Sequence, residues 1–466
     1  MSDLDYVYAY LQESTVESEG GRPAVLLATS GGSTVGTTTA HPYFFDGFVE
    51  RAEMVAAALL VVARVARTRF YTPPGMLAAI LRSADPVVTS DGQQLRFESF
   101  SACCGVYCRL DLLRDGLDQP PLDTGTTNVD FNPPMRDALA SVGGLDPVRL
   151  AVGTEEVRVT TLDTSVVERR VPLPSRWVKG LGEVQAVAAG MSARLTTSGV
   201  ALRRFLQALP RTPQRGVLYA AATAGGLRLA SRPSTGAVPI SAMDRLRVLE
   251  PLLRYAPTVH VYAPAGAGEA PSAWQMDLPG ARITVTVSPS ASRGFSGEGG
   301  LLTDLADDTA AANADLVAAV LAYDPAIEIQ TLARDTGIAE PDVRRALTHL
   351  AAAGRVGFDL ATGSYFHREL PYHPAALPAQ HPRLRDARAL VEGGHVTLGL
   401  AEALVRSGTT TYIVRSTPDG DRCTCPWFGT HGSSRGPCKH ALAALMARRA
   451  STAVRHRLDS PTRRRQ

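Results

Sequence analysis

Three cysteines and one histidine near the C-terminus are the residues whose types and spacing suit chemistry best. Cys423 and Cys425 are one residue apart, and after twelve intervening residues come Cys438 and His440, again one residue apart. Four soft or borderline donors in two close pairs match a closed tetrahedral Zn²⁺ site of the Cys₃His kind. Zinc has no d-electron preference, so the chain must impose the tetrahedron. Thiolates give up their protons to bind it, and a neutral imidazole completes the set. A catalytic zinc keeps a position open for water, whereas here four ligands are already supplied and no glutamate lies between them as a base. His431, inside the loop, is a competitor that the set does not need. The expectation is a structural Zn²⁺, with folding of this segment coupled to metal binding. The competing readings are buried thiols and a disulfide. A Gly/Ser-rich loop suits the first poorly. With no apolar secretory run at the N-terminus, a reducing compartment, the cytoplasm, is expected, which disfavours the second.

The flanking residues must bring these donors together. Thr411 to Val414 reads as a short strand, and Ala441 to Arg449 as a helix that Cys438 and His440 open. Gly429, Gly432, Ser433, Ser434 and Gly436 suit a tightly turning loop between the pairs. The spacing Cys423-x-Cys425-x₁₂-Cys438-x-His440 resembles the signature of the SWIM zinc finger. The runs Cys425-Pro426-Trp427 and Gly436-Pro437-Cys438-Lys439-His440 are similar to its bacterial forms. The resemblance implies Zn²⁺ as cofactor and DNA or a protein as partner. Similar bacterial proteins carry a large N-terminal part of unsettled function. They are thought to act beside MoxR-type ATPases and von Willebrand A domain proteins, so the resemblance also implies such a partner.

A second pattern precedes the finger. Ala310 to Leu321 and Ile329 to Asp335 read as helices, and Thr336-Gly337-Ile338 as a turn. In a third helix Val343, Ala346, Leu347 and Leu350 fall at i, i+3, i+4 and i+7, one buried stripe. Arg355 to Asp359 and Ser364 to Phe366 then read as a hairpin. This order resembles a winged helix, whose third helix enters the DNA major groove. Arg344, Arg345, Thr348 and His349 lie off or beside the stripe as candidate nucleic-acid contacts, and Arg355 and Arg368 flank the wing. Asp335, Glu340 and Asp342 crowd the helix start. They suit the helix dipole but repel phosphate, so a protein-docking module is the competing reading.

The remainder speaks to architecture. The 466 residues, 45% hydrophobic and 20% charged, describe an ordinary globular chain. A net charge of +3 is too small to predict a nucleic-acid partner. From Ala447 onward, however, seven arginines accompany a single acid, Asp459. Such an end contacts nucleic acid or an acidic partner, or is a solvated disordered tail. The apolar helix from Met54 to Val65 is too short to span a bilayer, so no membrane association is expected. Gly31-x₄-Gly36-Thr37-Thr38 has the glycines of a phosphate loop but lacks its lysine, so nucleotide binding is not expected. Cys103, Cys104 and Cys108 lie in an apolar β-like run and read as buried small hydrophobes. Trp177, beside Arg176, reads as a core aromatic, and His367, His373 and His381 are too loosely spaced to hold a metal.

The fold class expected is α+β multidomain: a mixed α/β N-terminal region, a winged-helix-like module and a small C-terminal SWIM zinc finger. The expected divisions are an α+β domain at 1–150 and a mostly β domain of unknown function at 151–300. A winged-helix-like domain at 301–370, the finger region at 383–450 and a basic disordered tail at 451–466 follow. The functional expectation is a non-enzymatic zinc protein that uses finger and winged helix to bind DNA or protein. The alternative is an N-terminal enzyme or ligand-binding domain targeted by the finger. Against it stands the lack of a recognisable nucleophile–base pair or acidic metal cluster.

Overall fold

The computed structural model describes residues 43–68, 86–171, 173, 175–210, 217–240, 243–266, 268–289, 294–295, 299, 301–370, 381–418, 420–432 and 435–459, with the backbone of four short strands before residue 43. The side chains of the glycine- and threonine-rich segment 31–39, the linker 371–380 that contains His373, and residues 460–466 lie outside the described residues. The backbone at Arg22–Leu26 is a strand.

An eight-stranded antiparallel sheet carries the N-terminal half. Its order is Ser192–Thr197, Thr258–Ala263, Ser272–Leu278, Ala281–Val287, Val106–Leu112, Leu95–Phe100, Val87–Asp91 and Thr124–Asn128. Ala281–Val287 pairs along its full length with Val106–Leu112. Residue 150 therefore falls inside the span of one sheet, and one apolar core runs from Phe44 to Val287. The helix expected over the apolar run around Met54 spans Ala52–Arg67 and is buried on most of its circumference, as its nearly continuous apolar sequence requires. It lies over the face formed by Leu95, Phe97, Val106, Cys108, Leu110, Ile283 and Val285. Cys104 and Cys108 are buried, Cys103 is partly exposed, and Trp177 is fully buried.

The opposite face of the same strands is charged and also buried. Arg96, Glu98, Arg109, Asp111 and Arg282 project from it, and the hairpin Val356–Asp359/Ser364–His367 presses on them. Arg109 Nη2 lies 2.8 Å from Asp359 Oδ1, and Arg282 Nη2 lies 2.9 Å from Asp359 Oδ2. Arg96 pairs with Asp91 at 2.5 Å, and Arg368 pairs with Glu98. Phe366 is set among these cations, its ring centroid 4.0 Å from the Arg96 guanidinium carbon. Four guanidiniums thus meet the carboxylates of Asp91, Glu98, Asp111 and Asp359. Only such matching lets charges remain in a dry interface. Burial pushes the Asp359 carboxyl up, but Arg109 and Arg282 outweigh it and hold the group below the usual carboxylate range. For Glu98, Arg368 outweighs burial in the same way, whereas burial wins at Asp111 and raises it.

The hairpin closes a unit of helices Asp308–Ala318, Ile329–Thr336 and Glu340–Ala352. Asp307 caps the first by accepting from the Thr309 and Ala310 amides at 3.1 and 3.2 Å. Gly337, at φ 71°, supplies the left-handed residue that turns the second into the third. The stripe Val343, Ala346, Leu347 and Leu350 is buried. Helix Ser175–Ala189 is wedged between this unit and the sheet. Its Gly182 approaches so closely that a Cβ there would stand 2.8 Å from Ala352 Cα.

The chain ends in two layers. A meander of Val396–Leu398, Glu402–Ser407, Thr410–Thr417 and Gly420–Cys423 is backed by helices Pro382–Glu392 and Lys439–Asp459. The last helix runs on to Asp459, so residues 451–459 of the expected disordered tail are helical, while 460–466 lie outside the described residues. No helix among the described residues is long and apolar enough to cross a membrane.

Candidate metal centre

Cys423, Cys425, Cys438 and His440 converge. Their candidate ligand atoms all lie within 4.8 Å of one another, and all four side chains are buried. His440 Nδ1 faces Cys423 Sγ at 3.9 Å. Bonds of about 2.3 Å to sulfur and about 2.05 Å to nitrogen in a tetrahedron put those atoms about 3.6 Å apart, so the spacing suits one shared ion.

Local backbone explains the convergence. Cys423 ends the last strand of the meander, and Cys425 caps the short helix Pro426–His431. Its Sγ accepts from the Phe428 amide at 3.4 Å. Cys438 precedes helix Lys439–Asp459, and its Sγ accepts from the Ala441 amide, also at 3.4 Å. Two of the three sulfurs therefore sit at helix N-termini, where free amides and the helix dipole favour the thiolate. His440 stacks on Tyr412, with ring centroids 4.3 Å apart. Its Nε2 is buried with no hydrogen-bond partner among the described residues.

The thiols share protons unequally. A hydrogen bond from Cys423, aided by His440 and the Ala441 amide, outweighs burial and holds Cys438 down to about 4. Its hydrogen bond to Cys438, together with burial, pushes Cys423 up. A cation that takes three thiolates at once relieves this competition, and the donor set fits a metal of zinc's softness.

Around the donors is a clamp that sequence spacing gave no sign of. Arg383, at the start of helix Pro382–Glu392, donates to the carbonyls of Arg435 and Pro437 at 2.7 and 2.9 Å. Its guanidinium carbon lies 4.8 Å from the Trp427 ring centroid. One side chain thus grips the segment before Cys438 and the turn after Cys425. Gly436, at φ 68°, passes so close to Gly299 that a Cβ would stand 2.3 Å from its carbonyl oxygen. Arg448 secures the other side, reaching both Asp421 carboxylate oxygens at 3.1 and 3.0 Å.

The candidate nucleic-acid residues fare differently. Arg344 is exposed but lies 3.7 Å from Glu340. Arg345 pairs with Asp342 and lies 3.7 Å from Asp307. Thr348 donates to the Arg344 carbonyl at 3.2 Å. His349 is corrected as a surface contact: it is buried, with Nε2 2.9 Å from the Asp304 carbonyl oxygen. The segment Leu301–Ala306 packs on its side of the helix, and burial lowers its pKa. Arg355 is 2.7 Å from Glu369, and Arg368, expected to flank a free wing, is fully buried against Glu98. His367 and His381 are buried and separate from the metal cluster.

Comparison with known proteins agrees with this geometry at the finger. Residues 414–449 match the SWIM zinc finger family, so the chain carries that finger. No curated protein matches the chain. Among solved structures, proliferating cellular nuclear antigen from Entamoeba histolytica covers 53% of this chain with 99% of its own, at 10% identity and a TM-score of 0.35. The PCNA2–PCNA3 complex from Sulfolobus tokodaii covers 53% with 100% of its own chain, at 9% identity and a TM-score of 0.37.

Proposed function

We propose that the SWIM finger of this chain holds one structural Zn²⁺ and that the chain is a docking protein for a protein partner, without catalysis of its own. The closed Cys₃His set supports the structural role, because zinc would find four protein donors there. The observation that carries the choice of partner lies in the helical unit. The arginines of the third helix already face carboxylates, and the hairpin is engaged with the core sheet. Phosphate binding draws its affinity from unneutralised cations that displace counterions. Here Glu340, Asp342 and Asp307 hold those cations in pairs. We place the protein in the cytoplasm, where thiols stay available to metal. A MoxR-type ATPase or von Willebrand A domain protein as partner rests on the resemblance of the finger alone.

Affinity purification from the native cell, with and without nuclease and with and without chelator, tests the reading. A protein partner should survive nuclease and leave on chelation. A partner set that consists of nucleic acid, or that nuclease disperses, overturns it.

A further inference from the structure

The outer face of the finger's sheet is open, and its composition is not that of a solvated face. The two helices cover the face formed by Ala403, Val405 and Val414. On the other face Leu404 pairs directly with Ile413, and they are 45% and 38% exposed. Leu404 and Ile413 are two of the twelve large apolar side chains exposed among the described residues, and they adjoin at the centre of this face. An antiparallel sheet with one wet face normally alternates polar side chains there, so an apolar centre calls for an occupant.

Charge says which kind. Along strand Thr410–Thr417 the outward positions are Thr411, Ile413 and Arg415. Arg406 lies opposite Thr411, and Glu402 and Arg422 lie on either side of Arg415. The face therefore reads basic, apolar, basic, in steps of two residues, or about 6.7 Å. Three arginines stand against one acid, Glu402, whose Oε1 is 2.8 Å from Arg415 Nε. Arg406 and Arg422 are exposed. Nucleic acid suits this face less well. Single strands stack bases on aromatic rings, and Tyr412 is turned inward onto His440. A second copy would set the same arginines against themselves across a two-fold axis.

We propose that this face docks an acidic, apolar peptide segment of a partner, with an apolar side chain over Leu404 and Ile413 and carboxylates two residues to either side, on Arg406 and on Arg422. The inference rests on the protein-docking reading and assigns its surface. Arginine pairs carboxylates in planar, bidentate fashion, so spacing as well as charge would be read.

A phage-displayed library of random twelve-residue peptides, selected on the full zinc-loaded protein, tests it. Enriched peptides should carry Asp or Glu two residues before and after Leu, Ile, Val or Phe. Leu404→Asp should weaken a selected peptide more than tenfold, and Arg422→Glu at least fivefold, with zinc content and melting temperature unchanged. Enriched peptides that lack acids, or that bind both variants as well as the parent, overturn the surface and leave protein docking standing. If no peptide is enriched while a labelled twenty-nucleotide single strand binds and Arg406→Glu weakens it, the surface assignment and the docking reading both fall.

Discussion

Removing the carboxylate of Asp359 should loosen the helical unit from the core sheet. Asp359 is buried, and its two oxygens serve Arg109 at 2.8 Å and Arg282 at 2.9 Å. In Asp359→Ala, Arg109 keeps Asp111 at 3.0 Å, while Arg282 is left with Asp111 at 3.7 Å. Removing one partner of a buried ion pair typically costs about 3–5 kcal/mol, because the other charge stays in a dry site. At about 2–4 °C per kcal/mol, that is a fall in Tm of about 6–20 °C. Arg282→Ala should lose less than half as much, since Asp359 then keeps Arg109. Asp359→Asn retains an acceptor for the Ala361 amide, 2.9 Å away, and isolates the charge. Thermal unfolding gives the order of the three variants. Hydrogen exchange at 353–368 reports whether the hairpin is what lets go. A Tm within 1 °C of the parent for Asp359→Ala, with hairpin exchange unchanged, would refute the idea that matched charges hold this interface.

Other predictions concern the finger and its seat. Gly436→Ala must place a Cβ 2.3 Å from the Gly299 oxygen at φ 68°, so zinc-loaded protein should lose more than about 1 kcal/mol in urea unfolding. Arg383→Ala removes the clamp on both ligand turns and should weaken zinc about 10–100-fold in competition with a chromogenic chelator. Burial, with Lys179 and Arg383 nearby, brings His381 down to about 4. Between that value and the unfolded value of about 6.5 the unfolded chain binds the extra proton, so stability falls as pH drops through this window. His381→Gln should shrink the difference in urea stability between pH 7 and pH 5.

The ligands were legible in the sequence because metal binding constrains residue type and short spacing, both visible in one dimension. The stripe Val343, Ala346, Leu347 and Leu350 was legible for a similar reason: one buried face on one helix. The core sheet was not. On strands Leu95–Phe100 and Val106–Leu112 every residue is buried, and nothing in the sequence around Arg96, Glu98, Arg109 and Asp111 signals that these charges lie inside. Only the hairpin, some 250 residues away, explains why they are inside. His349 misleads in the same way: its helix position places it at the edge of the stripe, and only the packing of Leu301–Ala306 buries it. Arg383 belongs to no motif, and its role exists only after the loop has folded over it.

Metal content bears most directly on the central claim. Elemental analysis of the full chain, purified without added metal and dialysed, should give one zinc per protein. Cys438→Ser should lower this to well under a tenth and leave residues 382–459 open to protease, while the core sheet stays folded. A Cys438→Ser variant that retains one zinc per chain, or a parent that holds none and keeps its finger folded in chelator, would contradict it.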